Sequence, residues 1–173
     1  MKIKVDKLKN VTGIRTELKY ALSQEDIGST ELVLGSKPLV FQGTAENIER
    51  VIVVQGIIKA VLRGVCDRCG EPLEYGVTAD FNESFTNAVE KVPEVESGEK
   101  DVHLFTGSEI ELWPYVEQAI FLSLPMKILC KPDCQGLCPQ CGQNLNLKDC
   151  SCDNEPLDPR LAVLADLLKE VDD

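Results

Sequence analysis

The cysteines constrain this chain more than any other feature. Six of the eight lie between positions 130 and 152, as Cys130, Cys134, Cys138, Cys141, Cys150 and Cys152, and Cys66 and Cys69 stand far upstream. Two segments, Cys66-Asp-Arg-Cys69-Gly70 and Cys138-Pro-Gln-Cys141-Gly142, share the form Cys-x-x-Cys-Gly. Two residues between thiolates let the backbone turn so that both sulfurs face one ion. The glycine that follows can take the left-handed conformation that aims N–H groups at sulfur. Each such knuckle supplies half of a four-sulfur site.

If each knuckle stays whole, the Cys66/Cys69 pair has three candidate partners. Joining Cys138/Cys141 to Cys150/Cys152 closes a short loop, the closure that costs least entropy. Cys130/Cys134 then falls to Cys66/Cys69. Cys134 is the weakest assignment, because Cys-x₃-Cys is a looser bite than Cys-x₂-Cys. In this arrangement one ion staples remote parts of the chain together, and the other orders a Leu/Asn-rich loop with little apolar material. Apparent Zn²⁺ binding free energies of about 10–16 kcal/mol can outweigh the cost of ordering such a loop.

Disulfides are the rival reading, and the compartment decides against them. The N-terminus has no apolar run long enough for a signal peptide, and nothing later is long enough to span a membrane. The expectation is a cytoplasmic protein with no membrane attachment, where thiols stay reduced and eight cysteines favour metal. A hydrolytic zinc keeps an open position, usually with His or carboxylate ligands, whereas an all-sulfur set of four is full and structural. Thiol redox chemistry wants its Cys-x-x-Cys at a helix N-terminus, and Cys66/Cys69 is read at a hairpin tip. The one histidine, His103, is read as a surface residue. We find no phosphate-cradling glycine loop, nucleophile–histidine constellation or nucleotide fingerprint. The chain is read as no enzyme.

Charge narrows the partners. The formal net charge is −11, and eight thiolates around two divalent ions would lower it further. Such a field repels nucleic acid and suits a basic protein partner. Only the first twenty residues run the other way, with Lys2, Lys4, Lys7, Lys9, Arg15 and Lys19 against Asp6 and Glu17. They are read first as a solvated face and second as an arm that contacts RNA.

Local patterns supply the elements. Ile3 and Val5 alternate with charged residues, as in a short strand with one buried face. Residues 16–27 are ambiguous, with Leu18, Ala21 and Leu22 at the spacing of a helical turn before Gly28. From 31 to 86 the text is β-prone. Val51–Val65 places Ile58, Ala60 and Leu62 on one face, with Gly56 and Gly64 as bulge or bend positions. Residues 75–85 place Tyr75, Val77, Ala79, Phe81 and Phe85 on one face, with Glu83 the misfit. These two strands form a hairpin whose tip is the Cys66 knuckle. Residues 88–101 are acidic and interrupted by Pro and Gly, a mobile loop. Ser108-Glu-Ile-Glu111 has the form of a capping box, but Pro114 favours a helix that begins near Trp113, with Pro114 at its first position, and ends before Pro125. Asp158-Pro159 opens a C-terminal helix with a stripe of Leu161, Leu164, Leu167, Leu168 and Val171.

Several of these pieces together resemble one family. They are the Gly-x-Ile-x-Ala-x-Leu run into Cys-Asp-Arg-Cys, the helix ending in Leu-Pro, the Gly-Leu-Cys-Pro-x-Cys-Gly-x-Asn-Leu-Asn segment with Cys130 and Cys134 before it, the Cys-x-Cys, and Asp-Pro-Arg-Leu-Ala-x-Leu. This is similar to the YceD-like proteins, described as large ribosomal RNA subunit accumulation proteins. The resemblance runs over most of the chain from about residue 40. It implies a bacterial, cytosolic, non-enzymatic factor that supports accumulation of large-subunit ribosomal RNA. By position it implies that Cys66, Cys69, Cys130, Cys134, Cys138, Cys141, Cys150 and Cys152 ligate metal.

The expected architecture is α+β: a twisted antiparallel β-sheet or small open barrel with a covering helix, a Cys-rich zinc-ribbon-like lobe and a C-terminal helix. The expected divisions are a β-rich domain over 1–128, a zinc lobe over 129–155 and the C-terminal helix over 156–173. The expected function is a zinc-stabilised factor in ribosome assembly that binds a basic ribosomal protein or the pre-ribosomal large subunit, with two structural Zn²⁺. The alternative is a zinc-ribbon module that contacts nucleic acid or the transcription machinery; a thiol redox enzyme ranks third.

Overall fold

A computed structural model describes residues 1–6, 8, 11–28, 30–88 and 102–152 of the 173-residue chain. The acidic stretch 88–101, apart from Ala88, and the C-terminal stretch 156–173 lie outside the described residues. The chain divides into two compact units, Met1–Val65 with Pro72–Ile128, and Cys66–Glu71 with Leu129–Asp173.

The first unit is built on three long antiparallel strands, β3 (Leu39–Ile48), β4 (Val51–Val65) and β5 (Pro72–Thr86). β2 (Arg15–Leu22) adds to the β3 edge, and the short β6 (Val102–Leu104) pairs in parallel with β5. The result is a curled five-stranded half-barrel in the order β2-β3-β4-β5-β6. A separate two-stranded sheet joins β1 (Lys2–Lys4) to β7 (Glu109–Glu111), with Ile3 opposite Ile110 and both buried. One-turn α1 (Gln24–Ile27) and the longer α2 (Trp113–Ser123) complete the unit.

Alternation explains why these residues form strands. Ile52, Val54, Ile58, Ala60 and Leu62 of β4 and Val77, Ala79, Phe81 and Phe85 of β5 are buried on one face. Phe41 meets Phe81 edge to face at 5.3 Å, so β3 and β5 share one core across β4. α2 closes this core. An eleven-residue helix is marginal alone, but it buries Val116 and Ile120 completely, each worth about 2 kcal/mol. Its Tyr115 packs edge to face on Phe85 at 5.1 Å.

Four local readings are resolved here. Leu18, Ala21 and Leu22 belong to β2, where pairing with β3 overrides the helical spacing; the helical turn comes later, at Gln24–Ile27. α2 starts at Trp113, as Pro114 leads one to expect, with Pro114 in its second position rather than its first, and Ser108 caps no helix because Glu109–Glu111 extend against β1. Gly56 and Gly64 interrupt no register. Gly56 instead stands opposite Gly43, where a Cβ on Gly43 would meet the Gln55 carbonyl oxygen at 2.2 Å. Gly64 lies under the Tyr75 ring, 3.0 Å from where its Cβ would be. Finally, His103 is half-buried: it pairs with Glu83 at 2.8 Å and packs on the Tyr115 ring at 4.3 Å. That pairing gives the misfit Glu83 its partner.

Candidate metal centres

The β4–β5 ladder runs to Val65 opposite Pro72, and the residues between them form a knuckle. Cys66 N–H donates to the Glu71 carbonyl at 2.8 Å, and Gly70 N–H donates to the Cys66 carbonyl at 2.9 Å. The second Cys-x-x-Cys-Gly repeats the pattern. Cys138 N–H donates to Gln143 at 2.8 Å, and Gly142 N–H to Cys138 at 2.9 Å. Gly70 and Gly142 have φ of 71° and 72°, the left-handed backbone that a residue with a Cβ enters at a cost of about 1–2 kcal/mol.

The eight cysteines form two groups. Cys66, Cys69, Cys130 and Cys134 are the first foursome, and Cys138, Cys141, Cys150 and Cys152 the second; within each, all sulfurs lie within 4.8 Å of one another. In the first, Cys66 Sγ is 3.7 Å from Cys134 Sγ, and Cys69 Sγ is 3.7 Å from Cys130 Sγ. A tetrahedral ion with metal–sulfur bonds of about 2.3 Å sets its ligands about 3.8 Å apart. Disulfide sulfurs stand at about 2.05 Å, and none of the eight cysteines is in a disulfide. Each foursome can therefore hold one metal ion. Cys66, Cys69, Cys134 and Cys138 are buried, Cys150 and Cys152 half-buried, and Cys130 and Cys141 exposed.

Electrostatics point the same way. Burial pushes the Cys66 thiol up, but N–H groups of Cys130, Arg68 and Cys69 outweigh it and hold the thiol at about 6. Cys130 is exposed as a residue, but its sulfur stands among three others, where loss of hydration together with the sulfurs of Cys134, Cys69 and Cys66 pushes it up to about 12. The second foursome repeats the split. N–H donors of Cys141 and Gln140 hold Cys138 at about 6, while the Cys141 sulfur, burial and Cys138 push Cys152 up to about 12. Crowded sulfurs of like charge cannot all ionise in water alone. A cation at their centre removes that conflict.

The protein around the sulfurs is fitted to them. The Arg68 guanidinium donates to the Cys134 carbonyl at 2.9 Å. Gly136, at φ 78°, brings its backbone under Arg68, where a Cβ would stand 3.2 Å from the Arg68 carbonyl oxygen. Sequence reasoning did not assign Asn144, Asn146 and Glu71, yet Asn146 Nδ2 donates to Cys134 Sγ at 3.3 Å and Asn144 Nδ2 to Glu71 Oε1 at 3.2 Å. The available signal was two short amides one residue apart inside a loop bounded by cysteines.

The other singled-out residues lie elsewhere. Of the basic N-terminal group, Lys7 and Lys9 lie outside the described residues. Lys2 faces Glu111 and Lys4 faces Glu109 across the β1–β7 ladder, and Lys19 Nζ is 3.1 Å from Glu17. Among the described residues, no helix is long and apolar enough to cross a membrane.

Comparison with known proteins places the chain. It is 32% identical over 123 residues to an uncharacterized protein of Mycobacterium tuberculosis, a match covering 71% of this chain and 58% of the relative. It is 28% identical over 126 residues to a chloroplastic large ribosomal RNA subunit accumulation protein YCED homolog of Zea mays, covering 57% of this chain and 43% of that one. A Bacillus subtilis protein, YlbN, is 35% identical over 74 residues, 42% of this chain and 43% of its own length. The chain thus spans about half the length of these relatives. No solved structure matches it. The family model described as large ribosomal RNA subunit accumulation protein YceD matches residues 54–168, which include all eight cysteines, and the chain belongs to that family.

Proposed function

We propose that this chain is a zinc-stapled binding factor that supports accumulation of large-subunit ribosomal RNA and assembly of the large subunit, with no reaction of its own. One observation carries the reading: eight thiols form two complete foursomes. Four sulfurs fill a tetrahedral shell and leave no position for a water or a substrate, so the ion is architectural. Soft thiolates in tetrahedral array suit zinc. Cys66, Cys69, Cys130 and Cys134 hold one ion, and Cys138, Cys141, Cys150 and Cys152 the other. Membership of a family named for ribosomal RNA accumulation supports the cellular role.

The partner is a basic ribosomal protein or the pre-ribosomal large subunit, met in the cytoplasm through the acidic surface of a chain of net charge −11. The basic N-terminus is the weaker route to RNA, because Lys2, Lys4 and Lys19 each have a carboxylate close by or opposite. The test is complementation of a strain that lacks its own family member. The intact chain restores large-subunit ribosomal RNA, whereas Cys66→Ser with Cys69→Ser restores little of it. Unchanged RNA with the intact chain contradicts the reading. Capture of a basic ribosomal protein without RNA favours the acidic surface. RNA binding with a steep salt slope favours the nucleic-acid alternative. Turnover of a dithiol substrate by metal-free protein favours redox chemistry.

A further inference from the structure

The loop Gly142–Asp149 is closed by Cys141 and Cys150, both of the second foursome, yet its side chains serve the first. Asn146 uses its whole amide there. Its Oδ1 accepts from Gln135 N–H at 2.9 Å, and its Nδ2 donates to Cys134 Sγ at 3.3 Å and to Asn144 Oδ1 at 2.9 Å. The Gln135 contact fixes the amide's orientation, because a backbone N–H can meet only the oxygen, which leaves the NH₂ group facing sulfur. Asn144 extends the link. Its Oδ1 also accepts from Asn146 N–H at 3.0 Å, and its Nδ2 reaches Glu71 Oε1 at 3.2 Å, on the knuckle that carries Cys66 and Cys69. Leu145 N–H donates to the Gly136 carbonyl at 2.9 Å, two residues from Cys134.

Resting on the metal-site reading above, we propose that Asn146 couples the two foursomes, so that an ion in the second foursome tightens the hold of the first. An ion held by Cys138, Cys141, Cys150 and Cys152 closes the loop and prepays the entropy of placing Asn144 and Asn146. The Asn146 amide then stabilises Cys134 as a thiolate by a hydrogen bond to sulfur, which favours the ionised ligand. Without the second ion the loop is tethered only by its hydrogen bonds, and the same amide must be ordered at the first foursome's expense. Linkage is reciprocal: an ion at the first foursome tightens the second by the same factor. Asn146 is a positioning residue, since it touches a ligand and not the ion.

The experiment titrates Co²⁺ into the full, reduced chain and follows the sulfur-to-cobalt charge-transfer band. Cys138→Ser with Cys141→Ser disables the second foursome. This change lowers Co²⁺ affinity at the first foursome by about tenfold when Asn146 is present, the scale of second-layer effects on metal sites. In an Asn146→Ala background the same change lowers it by less than about twofold. Asn146→Ala also moves the Cys134 charge-transfer band to lower energy, because the sulfur lone pair loses a donor; a merely structural role would leave the band in place. Asn146→Asp guards against a general loss of folding. It keeps the acceptor toward Gln135 and sets a carboxylate oxygen against the sulfur, so it weakens the first foursome more than Asn146→Ala does. Two ions bound with equal drops in both backgrounds, or with no drop in either, overturn the coupling alone. No cobalt–thiolate band in the intact chain overturns the metal reading and the coupling with it.

Discussion

A thiol at about 6 and a thiol at about 12 share the first foursome, as Cys66 and Cys130. The sign of the pH dependence follows from the thiols that stay protonated near neutrality. The N–H of Glu71 draws the Cys69 thiol down, but burial and the sulfurs of Cys66 and Cys134 outweigh it and raise Cys69 above its ordinary 9.0, and Cys130 is pushed up to about 12. Both must lose a proton to ligate. Binding one ion to this foursome at pH 7 therefore releases at least the protons of Cys69 and Cys130, and affinity rises by about two log units or more per unit of pH across the neutral range. Falling pH returns those protons and expels the ion. Calorimetry in buffers of different ionisation enthalpy measures the count, and a value near zero contradicts the account. At this scale the knuckles were legible, because Cys-x-x-Cys-Gly encodes a local turn. Asn144 and Asn146 were not, because what they touch is set by where the loop is folded back, which spacing does not reveal.

Among the elements, the β3–β4 crossing is where the chain is least forgiving. Gly43 and Gly56 stand opposite each other, and a Cβ on Gly43 would lie 2.2 Å from the Gln55 carbonyl oxygen. Gly43→Ala costs about 3 kcal/mol, since the obstacle is backbone and cannot rotate away. Gly76, on β5, has nothing within 4 Å of a Cβ, and Gly76→Ala leaves stability unchanged or raises it by up to about 1 kcal/mol. Urea denaturation of the two variants separates them; equal effects would mean that the close approach is not there. The long strands were legible from alternation, which a half-buried sheet imposes directly. The pieces that alternation left open were short. Residues 16–27 are ambiguous in sequence, with Leu18, Ala21 and Leu22 at a helical spacing, but the open edge of β3 supplies eight paired positions that the spacing cannot show. Ser108-Glu-Ile-Glu111 has the form of a cap, but Pro114 already favours a start near Trp113, where α2 begins, and β1 occupies the backbone of 109–111.

On the scale of the whole molecule, the described residues fall into a unit with an apolar core and a unit with hardly any. Phe41, Phe81, Phe85 and Ile120 are buried in the core of the first. The second has its buried atoms mainly in Cys66, Cys69, Cys134 and Cys138, and its Leu137 and Leu147 are exposed. Few apolar contacts among the described residues of the second unit give little hydrophobic stabilisation there, so an ion held by either foursome would add directly to its folding free energy. The sequence reading divides the chain at 128/129 and keeps the Cys66 knuckle with the strands, whereas residues 66–71 fall in the same unit as 129–173. The pairing of Cys66/Cys69 with Cys130/Cys134 rested on an argument about loop closure rather than on any local signal. The measurement that tests the central claim most directly is elemental analysis of freshly purified protein combined with titration of its reactive thiols. The account predicts about two zinc ions per chain with few thiols reacting until a chelator is added, after which all eight react. A metal-free protein, whether its thiols react at once or are locked in disulfides, would contradict it.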